Sequence, residues 1–130
     1  MSKQISILLA EDNPADVYLI EEALREHGVA FRIHVAEDGE AAINLLANDE
    51  IQPDIVLLDL NMPKRSGSVV LDRLRARPGS EHIPVIVLTS SDSPSDREEA
   101  MRLGATRYIR KPTGLDEFIQ IGATIKELAG

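Results

Sequence analysis

Short apolar runs alternate five times with stretches in which apolar residues recur every three or four positions, and that alternation leaves few folds open. The runs are Ile5–Ala10, Phe31–Ala36, Ile55–Leu58, 85–88 and a weaker one at 106–109, each of strand length. Between them, Leu19, Ile20, Ala23 and Leu24 repeat at helical spacing, as do Ala41, Ala42, Leu45 and Leu46, then Val70, Leu71 and Leu74. A last amphipathic stretch at 115–128 carries Phe118, Ile119, Ile121, Ile125 and Leu128 on one stripe. Strands joined by helices require right-handed crossovers, so the expectation is an α/β domain: a doubly wound, five-stranded parallel sheet with five helices on its two faces.

The residues at the ends of these segments agree. Asn13-Pro14 and Ser93-Pro94 each put a capping side chain before a proline suited to the first helical turn, with Asp16 and Asp96 near the positive helix end. Gly28 and Gly104 fit helix stops. With 130 residues and no linker, repeat or low-complexity segment, the chain is expected to form one domain over 1–130, with no effector domain attached.

Charge and composition exclude several functions. A net charge of −8 opposes nonspecific nucleic-acid binding, so no direct DNA contact is expected. The absence of cysteine removes disulfides, thiolate metal sites and a cysteine nucleophile. Nothing approaches a membrane span or a cleavable leader, and the expected setting is cytoplasmic and soluble.

In a parallel sheet of this kind every strand ends on the same edge, where ligands bind. That edge gathers Glu11 and Asp12 after the first strand, Asp59 at the end of the third, Thr89 after the fourth and Lys111-Pro112 after the fifth. Three acids, a hydroxyl and a lysine suit phosphoryl transfer to a carboxylate with magnesium. Mg2+ takes oxygen ligands, so Asp12 and Asp59 are candidate ligands, Glu11 a direct or water-bridged one, and the Asn61 carbonyl a further one. An ionised Asp59 can attack phosphorus, and Lys111 and Thr89 can meet the phosphoryl oxygens.

Each residue alone has a plainer reading. Asp12 beside Asn13-Pro14 is an ordinary turn residue, Thr89 ordinary loop chemistry, Lys111 a surface lysine and Tyr108 a half-buried strand aromatic. Their combination is what points to chemistry. His27, His34 and His82 show no ligand spacing and read as structural or solvated, and the clusters Lys64-Arg65 and 73–77 as solvated faces.

Taken together, the acidic pair, the segment Asp59-Leu60-Asn61-Met62-Pro63 with Gly67 beyond it, Thr89, and Tyr108 three residues before Lys111-Pro112 resemble a receiver domain of the two-component response-regulator family over essentially the full length. The resemblance implies a flavodoxin-like fold, Asp59 as phosphoacceptor, Mg2+ at Glu11, Asp12, Asp59 and Asn61, and a phosphoryl group held by Thr89 and Lys111. It implies a sensor histidine kinase as donor, self-catalysed phosphorylation and dephosphorylation rather than turnover of a separate substrate, and hydrolysis tuned at Asn61 and Ser91. It further suggests a cis peptide between Lys111 and Pro112, which proline makes accessible. The opening Glu-Asp-Asn-Pro-Ala-Asp and the chain length resemble the small regulators paired with bacterial phytochrome kinases.

The resemblance also implies a readout in which Thr89 moves toward the phosphoryl group and Tyr108 rotates inward. The altered surface spans the fourth helix, the fifth strand and the fifth helix, around 97–102, 107–110 and 116–120, where a partner or a second copy binds to give a homodimer. On the first helix, Val17 and Tyr18 are expected to face solvent and to meet the kinase.

Other functions fit less well. A flavodoxin needs a Ser/Thr/Gly-rich phosphate loop where Glu11 and Asp12 stand, the Gly-x-Gly-x-x-Gly fingerprint is absent, and an aspartyl-phosphate phosphatase needs an acid where Asn61 stands. The structural alternative is a pseudo-receiver, a binding module not regulated by phosphorylation.

Overall fold

The structure is a computed structural model in which residues 4–48, 51–62, 64 and 66–129 are described. Strands β1 (Ile5–Ala10), β2 (Phe31–Ala36), β3 (Ile55–Leu58), β4 (Val85–Thr89) and β5 (Arg107–Arg110) form one sheet in the order β2-β1-β3-β4-β5, with all pairings parallel. They alternate with α1 (Pro14–Glu26), α2 (Gly39–Leu46), α3 (Gly67–Arg75), α4 (Pro94–Arg102), α5 (Leu115–Ile119) and α6 (Ile121–Ala129). This is the doubly wound flavodoxin-like arrangement expected from the alternation.

Side-chain alternation along the strands divides the core. Ile7, Leu9, Ile55, Leu57, Ile86 and Leu88 point to one face, where Ile20 and Leu24 of α1, Phe118 of α5, and Ile121 and Ile125 of α6 cover them. Leu8, Ala10, Val56, Leu58, Val85 and Val87 point to the other, under Ala42, Leu46, Val70, Leu71, Leu74 and Ala100 of α2, α3 and α4. β3 and β4 are buried along their whole length, which is why they read as unbroken apolar runs.

The expected stops and starts are present. Asn13 accepts from the Ala15 N–H at 3.0 Å, and Ser93 from the Asp96 N–H at 3.4 Å. Gly28 (φ 68°) and Gly104 (φ 107°) end α1 and α4 in left-handed caps, closed by Val29 N–H to Leu24 O and Ala105 N–H to Ala100 O. α2 has a cap that the sequence reading did not name: Asp38 accepts from the Ala41 N–H at 2.7 Å.

Three features depart from expectation. β5 runs from Arg107 to Arg110, one residue later than expected, and the Thr106 hydroxyl just before it accepts from the Val85 N–H at 2.9 Å. The final helix is interrupted at Gln120. There Gly122 lies so close to the Ala23 carbonyl that a Cβ would stand 2.3 Å from its oxygen, and His27 Nε2 lies 3.1 Å from the Ile119 oxygen. An apolar stripe of constant period does not reveal a one-residue break of this kind. Finally, Arg75, read as part of a solvated cluster, is half-buried; its guanidinium donates to Ser80 O at 2.6 Å and to Gly104 O at 2.8 and 3.1 Å, tying the loop after α3 to the loop after α4.

Candidate functional site

Beyond the strand ends the backbone continues to pair, which fixes the loops that carry the polar residues. Glu11 N–H donates to Ala36 O (2.9 Å), Asp59 N–H to Ala10 O (3.0 Å) and Lys111 N–H to Thr89 O (2.7 Å). Glu11, Asp59 and Thr89 are consequently buried, at 2%, 5% and 0% exposure, although all three are polar. Gly67 is required beside them, since a Cβ there would lie 2.4 Å from the Asp59 carbonyl oxygen.

Lys111 is the hub. Its Nζ donates to Asp16 Oδ2 at 2.7 Å and Asp59 Oδ2 at 2.9 Å, and lies 2.8 Å from Glu11 Oε2. The other Asp59 oxygen accepts from the Asn61 N–H at 3.0 Å. The Lys111–Pro112 peptide is trans, as is every peptide bond among the described residues, contrary to the cis bond suggested by the resemblance. Trans is the lower-energy form of an X–Pro bond, and the long lysine stem reaches Asp59 from it.

Burial raises Glu11 above the ordinary carboxyl range, to about 7; the hydrogen bonds from Lys111 and from the Asn13 N–H oppose that rise, and the Asp59 charge adds to it. For Lys111, burial disfavours the charge, but the hydrogen bonds to Asp16, Glu11 and Asp59 outweigh it and hold the ammonium above its usual range. Lys111 is therefore a fixed cation, while the acid cluster retains excess negative charge.

That excess suits a divalent cation. Glu11, Asp12 and Asp59 each offer an oxygen within 4.8 Å of the others. An all-carboxylate donor set open to water on the Asp12 side fits a hard cation such as Mg2+. Next to it, a groove of about 630 Å3 runs between α1 and the β2–α2 loop, lined by Asp12, Tyr18, Val35 and Asp38 among others.

Thr89 and Tyr108 are linked through Ser91. The Thr89 hydroxyl oxygen accepts long hydrogen bonds from Asn61 Nδ2 and the Ser91 N–H, both 3.4 Å, and the Tyr108 hydroxyl donates to Ser91 O at 3.0 Å. Ser91 Oγ in turn donates to Asp96 Oδ2 of α4 at 2.6 Å. Tyr108 is half-buried with the Arg97 guanidinium 5.9 Å from its ring centroid.

Glu11, Asp12, Asp59, Thr89 and Lys111 all lie at the sheet edge where they were expected, while Pro63 of the Asp59–Pro63 segment and Arg65 lie outside the described residues. Two expectations about neighbouring residues change. Tyr18 is 60% exposed as expected, but Val17 is partly buried against the core face of α1. Lys64 is not merely solvated, since its Nζ reaches Asp38 Oδ2 at 3.4 Å from a left-handed backbone (φ 69°). The sequence reading also missed Asp16 as a Lys111 partner. The signal available was an acid on the first turn of α1, which reads equally well as a helix-dipole residue.

Comparison with known proteins agrees with this fold. Residues 7–122 match the response regulator receiver domain family. The chain is 32% identical to response regulator Rcp1 of Synechocystis sp. over 120 residues, covering 88% of this chain and 82% of Rcp1. The Mn2+-bound crystal form of Rcp1 superposes with a TM-score of 0.83, at 95% and 92% coverage. The phosphorylated cyanobacterial phytochrome response regulator RcpA is 35% identical with a TM-score of 0.88, covering 96% of this chain and 93% of RcpA. A probable cyclic di-GMP phosphodiesterase of Vibrio cholerae is 37% identical over 112 residues, but those span 86% of this chain and only 24% of that longer protein.

Proposed function

This chain belongs to the response-regulator receiver family, and from that premise we propose that Asp59 is its phosphoacceptor, charged by the phosphohistidine of a sensor histidine kinase. The observation that carries the reading is the Lys111 ammonium 2.9 Å from Asp59 Oδ2, beside three carboxylates within metal-binding reach of one another. Glu11, Asp12 and Asp59, with the Asn61 carbonyl, hold Mg2+. When bound, the metal neutralises charge on the acids and on the incoming phosphoryl oxygens. The Mn2+ named for Rcp1 and the phosphorylated state named for RcpA support both assignments.

In the transfer, an Asp59 oxygen gives a lone pair to phosphorus as the bond from phosphorus to the kinase imidazole nitrogen breaks. The imidazole leaves with that pair. Lys111 meets one phosphoryl oxygen and Thr89 donates a hydrogen bond to another, so the chain's contribution is positioning and charge neutralisation. Asn61 and Ser91 flank the site and tune hydrolysis.

To reach the phosphoryl group, the Thr89 hydroxyl gives up its weak contacts to Asn61 and the Ser91 N–H. The Ser91 loop and the Tyr108 hydroxyl bonded to it then shift, carrying the change to α4, β5 and α5, where a partner or second copy docks. Tyr18 and Leu115, 60% and 62% exposed, flank a groove between α1 and α5 that meets the kinase, with a phytochrome-type sensor as the class that RcpA suggests.

Incubation with Mg2+ and acetyl phosphate is expected to add one phosphoryl mass to wild type and none to Asp59→Asn. Wild type should also show altered amide exchange in α4 and β5. Absence of the added mass would favour the pseudo-receiver, whose acid cluster serves binding alone.

A further inference from the structure

Of the three carboxylates on Lys111, Asp16 alone lies outside the group that can share a metal ion among the described residues. Its contact is also the shortest, 2.7 Å, against 2.8 Å to Glu11 and 2.9 Å to Asp59. The residue sits on the first turn of α1, its N–H bonded to Asn13 O at 3.1 Å in a helix start fixed by the Asn13 cap and Pro14. Its side chain is only 16% exposed.

The other two partners change role when the site is used. A metal held by Glu11 and Asp59, together with phosphorus on an Asp59 oxygen, would draw both acids away from Lys111 just when its ammonium must meet the phosphoryl group. A lysine stem with four rotatable bonds does not hold its place unaided. We propose that Asp16 is a positioning residue for phosphoryl transfer: it keeps Lys111 Nζ at the site when Glu11 and Asp59 are given over to metal and phosphorus, and so presents the ammonium to the phosphoryl oxygen. The inference rests on the assignment of Asp59 as phosphoacceptor. With acetyl phosphate, the Asp59 oxygen supplies the lone pair for the new P–O bond, acetate leaves with the pair of the broken one, and no proton moves. Asp16 acts only through the placement of Lys111.

A double-mutant cycle reads this directly. With saturating Mg2+ and acetyl phosphate, Asp16→Asn is expected to slow phosphorylation about ten- to a hundredfold. The same change in a Lys111→Met background is expected to add no further loss, and Glu21→Gln, which removes a different α1 acid, to leave the rate near wild type. Equal losses from Asp16→Asn in both backgrounds, or the same loss from Glu21→Gln, would overturn the proposal in favour of a structural or general charge effect.

The second readout needs no chemistry. The chain has four lysines, Lys3, Lys64, Lys111 and Lys126, so the Lys111 side-chain ammonium can be followed by 15N NMR in lysine-labelled protein. Its protected signal is expected to persist with Mg2+ bound in wild type and to vanish in Asp16→Asn; persistence in both would sink the idea. Should wild type take up no phosphoryl group, the phosphoacceptor reading fails, and this signal still decides whether Asp16 holds the ammonium. Asp16→Ser, also polar at a first-turn position, substitutes if Asp16→Asn does not fold.

Discussion

At the scale of residues, the site is a charge problem with one fixed cation. Lys111 stays protonated through neutral pH, whereas Glu11, lifted to about 7 by burial, takes up a proton in a range where an ordinary carboxyl is already ionised. Between its ordinary value near 4.5 and about 7 the folded chain holds a proton that the unfolded chain does not. Metal-free stability therefore declines as pH rises through that window. Metal prefers the ionised form, so the sign for binding is opposite. Mg2+ affinity should be about tenfold weaker at pH 6 than at pH 8, with protons released on binding near pH 7. Calorimetric titration in two buffers of different ionisation heat checks this, and Glu11→Gln should remove the pH dependence. An unchanged profile in that variant would assign the proton elsewhere.

At the scale of elements, two glycines decide where helices lie. Gly67 lets α3 begin against the Asp59 carbonyl, and Gly122 lets α6 approach Ala23 of α1. Gly122→Ala puts a methyl into backbone that cannot yield cheaply, and is expected to cost about 1–3 kcal/mol of stability by urea denaturation. Because Gly122 meets α1 at Ala23, about two helical turns beyond Asp16, Mg2+ affinity should survive. Loss of metal binding at unchanged stability would show that the α1–α6 contact sets the site instead. The same contact explains a difference between expectation and structure: the stripe from Phe118 to Leu128 reads as one helix, and the approach of Gly122 to α1 coincides with its break at Gln120.

At the scale of the whole molecule, the chain carries a net charge of −8 and concentrates buried acids at one end of its sheet. A cation that binds only the folded form should relieve that repulsion. Mg2+ at a hundred times its Kd is expected to raise the unfolding free energy by about 2.7 kcal/mol. Asp12→Asn should lose most of this gain without losing the fold, since Asp12 is exposed and removed from the core. Urea titrations with and without Mg2+ measure it; equal midpoints in wild type would argue against a metal site. Thr89, Ser91 and Tyr108 join the acid end to α4 and β5 by a short chain of hydrogen bonds.

The amino-acid sequence by itself determined the parallel doubly wound fold, because strand-length apolar runs and helical stripes have only one economical way to bury both kinds of surface. It also determined which edge carries Glu11, Asp12, Asp59, Thr89 and Lys111, because parallel strands all end on the same side. The tertiary structure alone decided the partners at that edge. That Asp16 meets Lys111, that Lys64 crosses to Asp38 and that Arg75 turns inward to Gly104 all depend on distances between segments far apart in the chain. Periodicity along one segment carries no information about how near another will come. Asp59 and Lys111 were legible as neighbours at one edge; that α1 holds the ammonium from the other side through Asp16 was not.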